Sequence, residues 1–186
     1  HERGRPEDII SPQAAGMARE GVRVDKADKT DDGFTLYTTT AGPRARLIDR
    51  RGEVVHQWQL PFSKVWSHAP HVKDPLPDEQ IHWFRCHLYA NGDLLAVYHA
   101  DGDTPYGYGL VKLDKDSKLL WAYAGHAHHD VDVGEDGAIY TLGQKLASQP
   151  SPSLDSLPAP LIADSVVVLS PEGRERETIP ILEAFR

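Results

Sequence analysis

The sequence predicts an all-β fold: three four-stranded blades of a β-propeller, with one short helix near the N-terminus. The first observation is a pattern of paired hairpins that occurs three times along the chain. The second is a turn dipeptide near the start of each copy: Asp32-Gly33, Asn91-Gly92 and Asp136-Gly137. Such dipeptides tolerate positive φ and close tight hairpins. Four short strands per repeat are typical of a propeller blade.

The N-terminal extension, residues 1–20, precedes the repeats. Ser11 is a suitable helix N-cap, Pro12 suits the first helical position and Gly21 suits the C-terminal stop. We therefore expect a helix over about residues 12–20.

The partial propeller occupies residues 21–186, with blades at about 21–60, 85–125 and 126–182. The second hairpin of each blade turns at Arg50-Arg51-Gly52, Lys115-Asp116-Ser117 and Pro171-Glu172-Gly173. The aromatic residues of these outer hairpins are expected to pack between blades; they are Trp58, Trp121 and Tyr123. Three blades cannot close a ring, so the remaining blades are expected from a following segment or a partner chain.

Composition narrows the range of partners. The chain has 20 Lys and Arg against 28 Asp and Glu, a net charge of -8, and no basic run that could follow a phosphate backbone. Nucleic acid is therefore not an expected partner. The longest apolar runs fall far short of the roughly 20 residues of a membrane-spanning helix. Because the chain begins at His1 without a signal-type segment, we expect a mature exported protein.

Histidines mark the predicted channel. The first strand of a propeller blade lines the central channel. His87 enters the second blade there, and His126, His128 and His129 enter the third. On a regular strand His126 and His128 would point to one side and His129 to the other, and the nearby Asp130 could fix a histidine tautomer.

Two further residues could contact an anionic substrate at this channel. Arg85 shares the face of His87 and could bind an oxyanion through two hydrogen bonds. His82 lies in the long proline-rich connection over residues 61–86, where it could cap the channel mouth.

Other interpretations of the histidines stay open at this level. A histidine at a strand end is commonly a satisfied or surface residue, and His56 and His99 are read that way. The cluster over 126–130 could also supply two or three imidazoles to zinc or copper. No helical H-x-x-x-H pattern or thiolate accompanies it, so no metal ligand is assigned.

Several segments resemble one family. "DGFTLYTTTAGPRARLIDRRGEVVHQW" is similar to the opening blade of bacterial aryl-sulfate sulfotransferases. "HLYANGDLLAVY" and "HHDVDVGEDGAIYTL" resemble the histidine-initiated inner strands of the blades that follow, and "DSVVVLSPEG" resembles the next outer hairpin. The resemblance covers about residues 21–182.

The resemblance implies a six-bladed propeller, periplasmic or extracellular, that transfers a sulfuryl group from an aryl sulfate donor to a phenolic acceptor without a cofactor. It implies acid/base or sulfate-binding roles for His87, His128 and His129, with Arg85 as a sulfate contact. From their positions in the sequence, Asp130 is expected to support these histidines, and His126 and His82 are expected to contact substrate. The histidine that is transiently sulfated in the family lies in a later blade. The competing expectations are a non-catalytic propeller subunit or scaffold, and a histidine-based metal-binding propeller.

Overall fold

The computed structural model describes residues 26, 28–147 and 160–185. Within them the protein is mostly β, with eleven strands in three antiparallel sheets and one short α-helix, α1 (Phe62–Val65). The helix expected over about residues 12–20 lies outside the described residues.

The first sheet has three strands in the order β1-β2-β3. They are β1 (Thr35–Thr38), β2 (Arg44–Ile48) and β3 (Val54–Gln59). Four strands were predicted here, and the described residues contain three of them. The stretch predicted as the first strand lies largely before residue 28, and Asp32-Gly33 leads into β1 without joining two described strands.

The second and third sheets each have four strands in chain order, β4-β5-β6-β7 and β8-β9-β10-β11. The strands of the second sheet are β4 (Ile81–Leu88), β5 (Leu94–Ala100), β6 (Gly107–Leu113) and β7 (Leu119–Tyr123). Those of the third are β8 (Ala127–Val133), β9 (Ile139–Ala147), β10 (Leu161–Leu169) and β11 (Glu175–Pro180). Short 3-10 turns lie at Asp78–Gln80 and Ile181–Phe185.

One turn design closes the second hairpin of every sheet. The Oδ1 atoms of Asp49 and Asp114 each accept the backbone N–H groups two and four residues further on, at 2.9 Å. Ser170 does the same through Oγ at 3.3 and 3.4 Å. The residue three positions later has positive φ in each case: Gly52 at 86°, Ser117 at 63° and Gly173 at 76°. A register shift follows in each ladder, as expected for a type I turn that ends in a left-handed residue.

The second sheet lies between the other two and is covered on both faces. Leu94 and Ala96 of β5 pack toward the first sheet in a cluster that includes Ala45 and Trp58. Their neighbours on β5, Leu95 and Val97, pack toward the third sheet. Every residue of β5 is therefore buried, because successive side chains of a strand enter opposite cores.

Outer strands connect neighbouring sheets through ring hydrogen bonds. His56 of β3 donates from Nε2 to the carbonyl oxygen of Lys115 at 2.7 Å, and Trp121 of β7 donates from Nε1 to that of Pro171 at 3.1 Å. The two donors lie four residues after the positive-φ residue of their turns. Their acceptors are the second residues of the corresponding turns in the next sheet.

Three aromatic side chains were predicted to pack between blades, and all three lie between sheets. Trp58 donates from Nε1 to the carbonyl oxygen of Gly92 in the second sheet. Trp121 and Tyr123 reach the third sheet, the latter through a hydrogen bond from its hydroxyl to Glu175 at 2.7 Å.

The two outermost faces of the stack differ. Tyr37, Arg46 and Gln57 are cross-strand neighbours on the open face of the first sheet, where Arg46 donates to Gln57. The open face of the third sheet is largely apolar. Its exposed large side chains include Tyr140, Leu146, Ile162 and Ile179. The two core clusters show that the three sheets pack face to face. Their arrangement as blades around a common axis stays a prediction.

Among the described residues, no helix has both the length and the apolar character needed to cross a membrane.

Candidate functional site

Four histidine rings meet between the second and third sheets. His82 and His99 are cross-strand neighbours on β4 and β5, while His128 and His129 lie on β8. Ring centroids are 5.3 Å apart for His82 and His99, 5.8 Å for His99 and His129, and 5.1 Å for His128 and His129. We call these four residues, with the rings of Phe84 and Tyr106 that touch them, the histidine cluster.

Irregular strands shape this cluster. The pairing of β4 with β5 shifts at Phe84, and the pairing of β8 with β9 shifts between His128 and Val131. A third shift occurs between β5 and β6, next to His99. Bulges bend a strand and redirect its side chains, and they are common beside active sites. Three bulges lie close together here. This end of the sheets therefore differs from the repeated hairpin turns, which follow one design.

His129 has a left-handed backbone, with φ of 57°. A residue with a Cβ atom adopts this conformation at an energetic cost. Because the bulge interrupts the strand, His129 does not point away from its neighbour. The Nδ1 atoms of His128 and His129 are 2.8 Å apart and share a hydrogen bond. The expectation that strand alternation separates these two rings is therefore wrong.

Carboxylates contact the histidines from two directions. Asp101 lies between the first pair, with Oδ1 3.2 Å from His99 Nε2 and Oδ2 3.8 Å from His82 Nδ1. Asp164 of β10 approaches the other pair, with Oδ1 3.4 Å from His128 Nε2. The cluster thus has one carboxylate at each end.

Two aromatic side chains enclose the exposed imidazole of His129. The Phe84 ring centroid lies 4.9 Å from that of His129, and the Tyr106 centroid lies 5.3 Å from it, both edge to face. Phe84 is 45% exposed, so it offers an apolar surface to a molecule at the cluster. An exposed imidazole next to aromatic surface suits a substrate that combines a polar reacting group with an aromatic ring.

Burial keeps two members of the cluster neutral near pH 7. Burial lowers the pKa of His128, with the His129 imidazole acting in the same direction and the Asp164 carboxylate opposing it. The pKa of His99 is also lowered, first by burial and then by His82, against the opposing effect of Asp101. Neutral imidazoles can accept a proton or a hydrogen bond, as general bases and nucleophiles must.

Arg85 and Asp130 lie beside the cluster and pair with each other. Arg85 Nε is 3.1 Å from Asp130 Oδ1, and both side chains are well exposed. The Asp130 carboxylate also accepts the backbone N–H of Val131 within the bulge. Asp130 therefore pairs with Arg85 and stabilises the bulge. Asp130 was expected to fix a histidine tautomer, whereas the carboxylate that contacts His128 is Asp164. Arg85 remains open to an anion on its exposed side.

The predicted site residues do not all come together. His82, His128 and His129 join the cluster. His87 lies toward the other end of β4, where its ring contacts Tyr89 at 4.8 Å. His126 donates from Nδ1 to the carbonyl oxygen of Gly107 at 2.9 Å, so it connects the start of β6 to the residue just before β8.

Five residues of the site were not identified from sequence: Phe84, His99, Asp101, Tyr106 and Asp164. His99 is seventeen positions from His82 along a hairpin, and a correct register would have placed the two side by side. Asp164 follows a long connection, and nothing in its local sequence distinguishes it from other acidic residues of strand ends.

A metal centre receives no support from the described residues. In that part of the chain, no group of three or more His, Cys, Asp or Glu side chains is arranged to hold a metal ion.

Comparison with family models and with curated proteins identifies no family for this chain. No protein-family model matches the chain, and no curated protein matches it significantly.

Proposed function

We propose that this chain is part of a six-bladed propeller of the aryl-sulfate sulfotransferase type, exported from the cytoplasm. In this proposal the histidine cluster transfers a sulfuryl group from an aryl sulfate to a phenol. The observation that carries it is the exposed His129 imidazole, hydrogen-bonded to the buried His128 at 2.8 Å and flanked by Phe84. This combination supplies a base or nucleophile next to an apolar surface for an aromatic ring.

The transfer can be written with His129 as general base. The phenolic oxygen of the acceptor attacks sulfur, and its proton passes to the free ring nitrogen of His129. The bond between sulfur and the donor oxygen breaks, and the donor leaves as a phenolate that later regains a proton. Charge on the sulfuryl oxygens suits a guanidinium, and Arg85 lies beside the cluster with an exposed side chain. In the family a histidine of a later blade is transiently sulfated; the direct transfer written here needs no such intermediate, and it assigns His129 proton transfer alone.

Support for the propeller comes from how the sheets repeat. The same turn and the same ring hydrogen bond connect the first sheet to the second and the second to the third. The third sheet then presents an apolar open face with a depression of about 260 Å³, lined in part by Tyr140, Leu142 and Val166. A further blade laid on this face would bury it as the first two interfaces are buried.

The experiment measures sulfuryl transfer from 4-nitrophenyl sulfate to phenol by the release of 4-nitrophenol. His129→Ala should lower kcat/KM at least about 100-fold, the usual effect of losing a positioned general base. His128→Ala should cause a large loss as well, since it frees the His129 ring. The matched control is His68→Ala, which removes an exposed histidine of the 61–80 connection and should leave the rate unchanged.

Two results would overturn the proposal. One is full activity in both cluster variants. The other is a native chain that neither transfers the sulfuryl group nor shows a change in its His129 ring signals when 4-nitrophenyl sulfate is added.

A non-catalytic subunit is the second candidate, and the apolar face of the third sheet favours it. Tyr140, Leu146, Ile162 and Ile179 are each at least 41% exposed, an unusual concentration for a surface that meets only water. A scaffold predicts that association through this face persists in the His129→Ala variant while the aryl sulfate has no effect on any histidine signal.

A further inference from the structure

Asp164 and His128 face each other, and the backbone carbonyl of Gly143 is a second acceptor that favours a protonated His128 ring. Oδ1 of Asp164 and Nε2 of His128 are 3.4 Å apart, and both atoms are buried without a hydrogen bond of ordinary geometry. The rest of the Asp164 side chain reaches solvent, since that side chain is 46% exposed and the His128 side chain only 3%. A buried polar atom without a partner costs free energy, so the contact between these two atoms is stabilising.

The contact restricts where protons lie on both imidazoles. An ionised carboxylate only accepts hydrogen bonds, so the His128 nitrogen that faces it must carry the hydrogen. A neutral imidazole has one N–H, which leaves Nδ1 of His128 as an acceptor. Its neighbour at 2.8 Å is Nδ1 of His129, which must then be the donor. The remaining nitrogen of a neutral His129, Nε2, holds a lone pair and no proton.

We infer that Asp164 is a positioning residue that sets the tautomers of His128 and His129, so that His129 presents an unprotonated Nε2. The order of groups is carboxylate, buried imidazole, exposed imidazole. Asp164 acts through His128 and does not itself touch a substrate. The consequence for catalysis rests on the proposed function, whereas the tautomers themselves do not.

The other carboxylates near the cluster cannot perform this task. Asp130 is paired with Arg85 at 3.1 Å. Asp101 contacts His99 and His82, and its nearer partner His99 meets His129 only ring to ring at 5.8 Å. Neither gives a hydrogen-bonded connection to a nitrogen of His129.

Long-range ¹H–¹⁵N correlation of histidine-labelled protein at about pH 8 reads the tautomers directly. The expected result is an unprotonated Nε2 on His129 and a protonated Nε2 on His128. A His129 that carries its proton on Nε2 in the native protein overturns the inference, and this measurement needs no substitution.

Asp164→Leu provides the directed test, because leucine has a similar branched shape and offers no acceptor to the N–H at Nε2 of His128. Without that acceptor the His128 proton moves to Nδ1, where it can be donated to His129, and His129 then carries its proton on Nε2. The matched control is Asp101→Leu, which removes the other carboxylate and should leave the His129 tautomer unchanged. Unchanged His129 signals in folded Asp164→Leu, or an equal change in Asp101→Leu, overturn the inference.

Activity separates this inference from the proposed function. If both hold, Asp164→Leu lowers kcat at least about tenfold with little change in KM, and Asp164→Glu retains part of the rate. A tautomer change with unaltered sulfuryl transfer would keep Asp164 as the positioning residue and remove His129 from the transfer step.

Discussion

Two faces of one strand pair, β4 with β5, have very different character. Trp83 and Tyr98 are cross-strand neighbours that face the first sheet, and both are completely buried. His82 and His99 are the next cross-strand pair and face the third sheet, where they join the histidine cluster. Because side chains alternate along a strand, a single hairpin contributes an aromatic core to one interface and titratable groups to the other.

The interface between the first and second sheets and the interface between the second and third have equivalent outer hydrogen bonds. They differ in their irregular residues. Both have an outer-strand ring that donates to the next turn. Only the second contains the left-handed His129. Among the described residues, six buried side-chain polar atoms make no hydrogen bond of ordinary geometry. Those of His99, His128 and Asp164 lie at the histidine cluster of the second interface, where the last two face each other at 3.4 Å. Function is expected where a repeated structure is interrupted by a strained residue and by buried polar groups without ordinary hydrogen bonds.

The largest effect on stability is expected at the first interface, between the first and second sheets. Trp58→Ala removes a side chain that is 2% exposed and its hydrogen bond to Gly92. We expect the free energy of unfolding to fall by about 3–5 kcal/mol, measured by urea denaturation. Phe84→Ala, on the other face, should cost less than about 1 kcal/mol because that side chain is already 45% exposed. Similar losses in the two variants would contradict the division into a structural and a chemical face.

A smaller loss of stability is expected from a substitution at Gly173, in the turn that packs against Trp121 between the second and third sheets. An added Cβ at Gly173 would lie 2.4 Å from Trp121 Cε3, on a backbone with φ of 76°. Gly173→Ala should therefore lower the free energy of unfolding by about 2–3 kcal/mol. Gly102 has φ of 87° and no atom within 4 Å of an added Cβ, so Gly102→Ala isolates the backbone cost of about 1 kcal/mol. Equal losses would mean that Trp121 does not pack tightly on the turn.

The smallest effect concerns pH. Burial lowers the pKa of His71, His99 and His128 from the ordinary 6.5. The unfolded chain then binds more protons than the folded one as the pH falls below about 6.5, so the melting temperature should decrease from pH 7 toward pH 5. His128→Gln should weaken this dependence, because it removes one of the three imidazoles whose pKa burial lowers. A melting temperature that rises with acidification would contradict the neutral, buried state of these imidazoles.

The sequence by itself determined the β-rich character, the paired hairpins and the outer aromatic residues that join the sheets. These features depend on local patterns: turn residues that tolerate positive φ, alternating side chains, and large rings at equivalent positions. Asp49, Asp114 and Ser170 could be recognised because each acts within its own turn.

Only the tertiary structure decided which histidines meet. The bulge at His129 cancels the alternation that would separate it from His128, and His87 lies at the wrong end of its strand to join them. Asp164 reaches His128 because β10 lies next to β9, which in turn pairs with β8. Contacts of this kind depend on register and on sheet order, which arise from packing over long separations and leave no mark in any short stretch of residues.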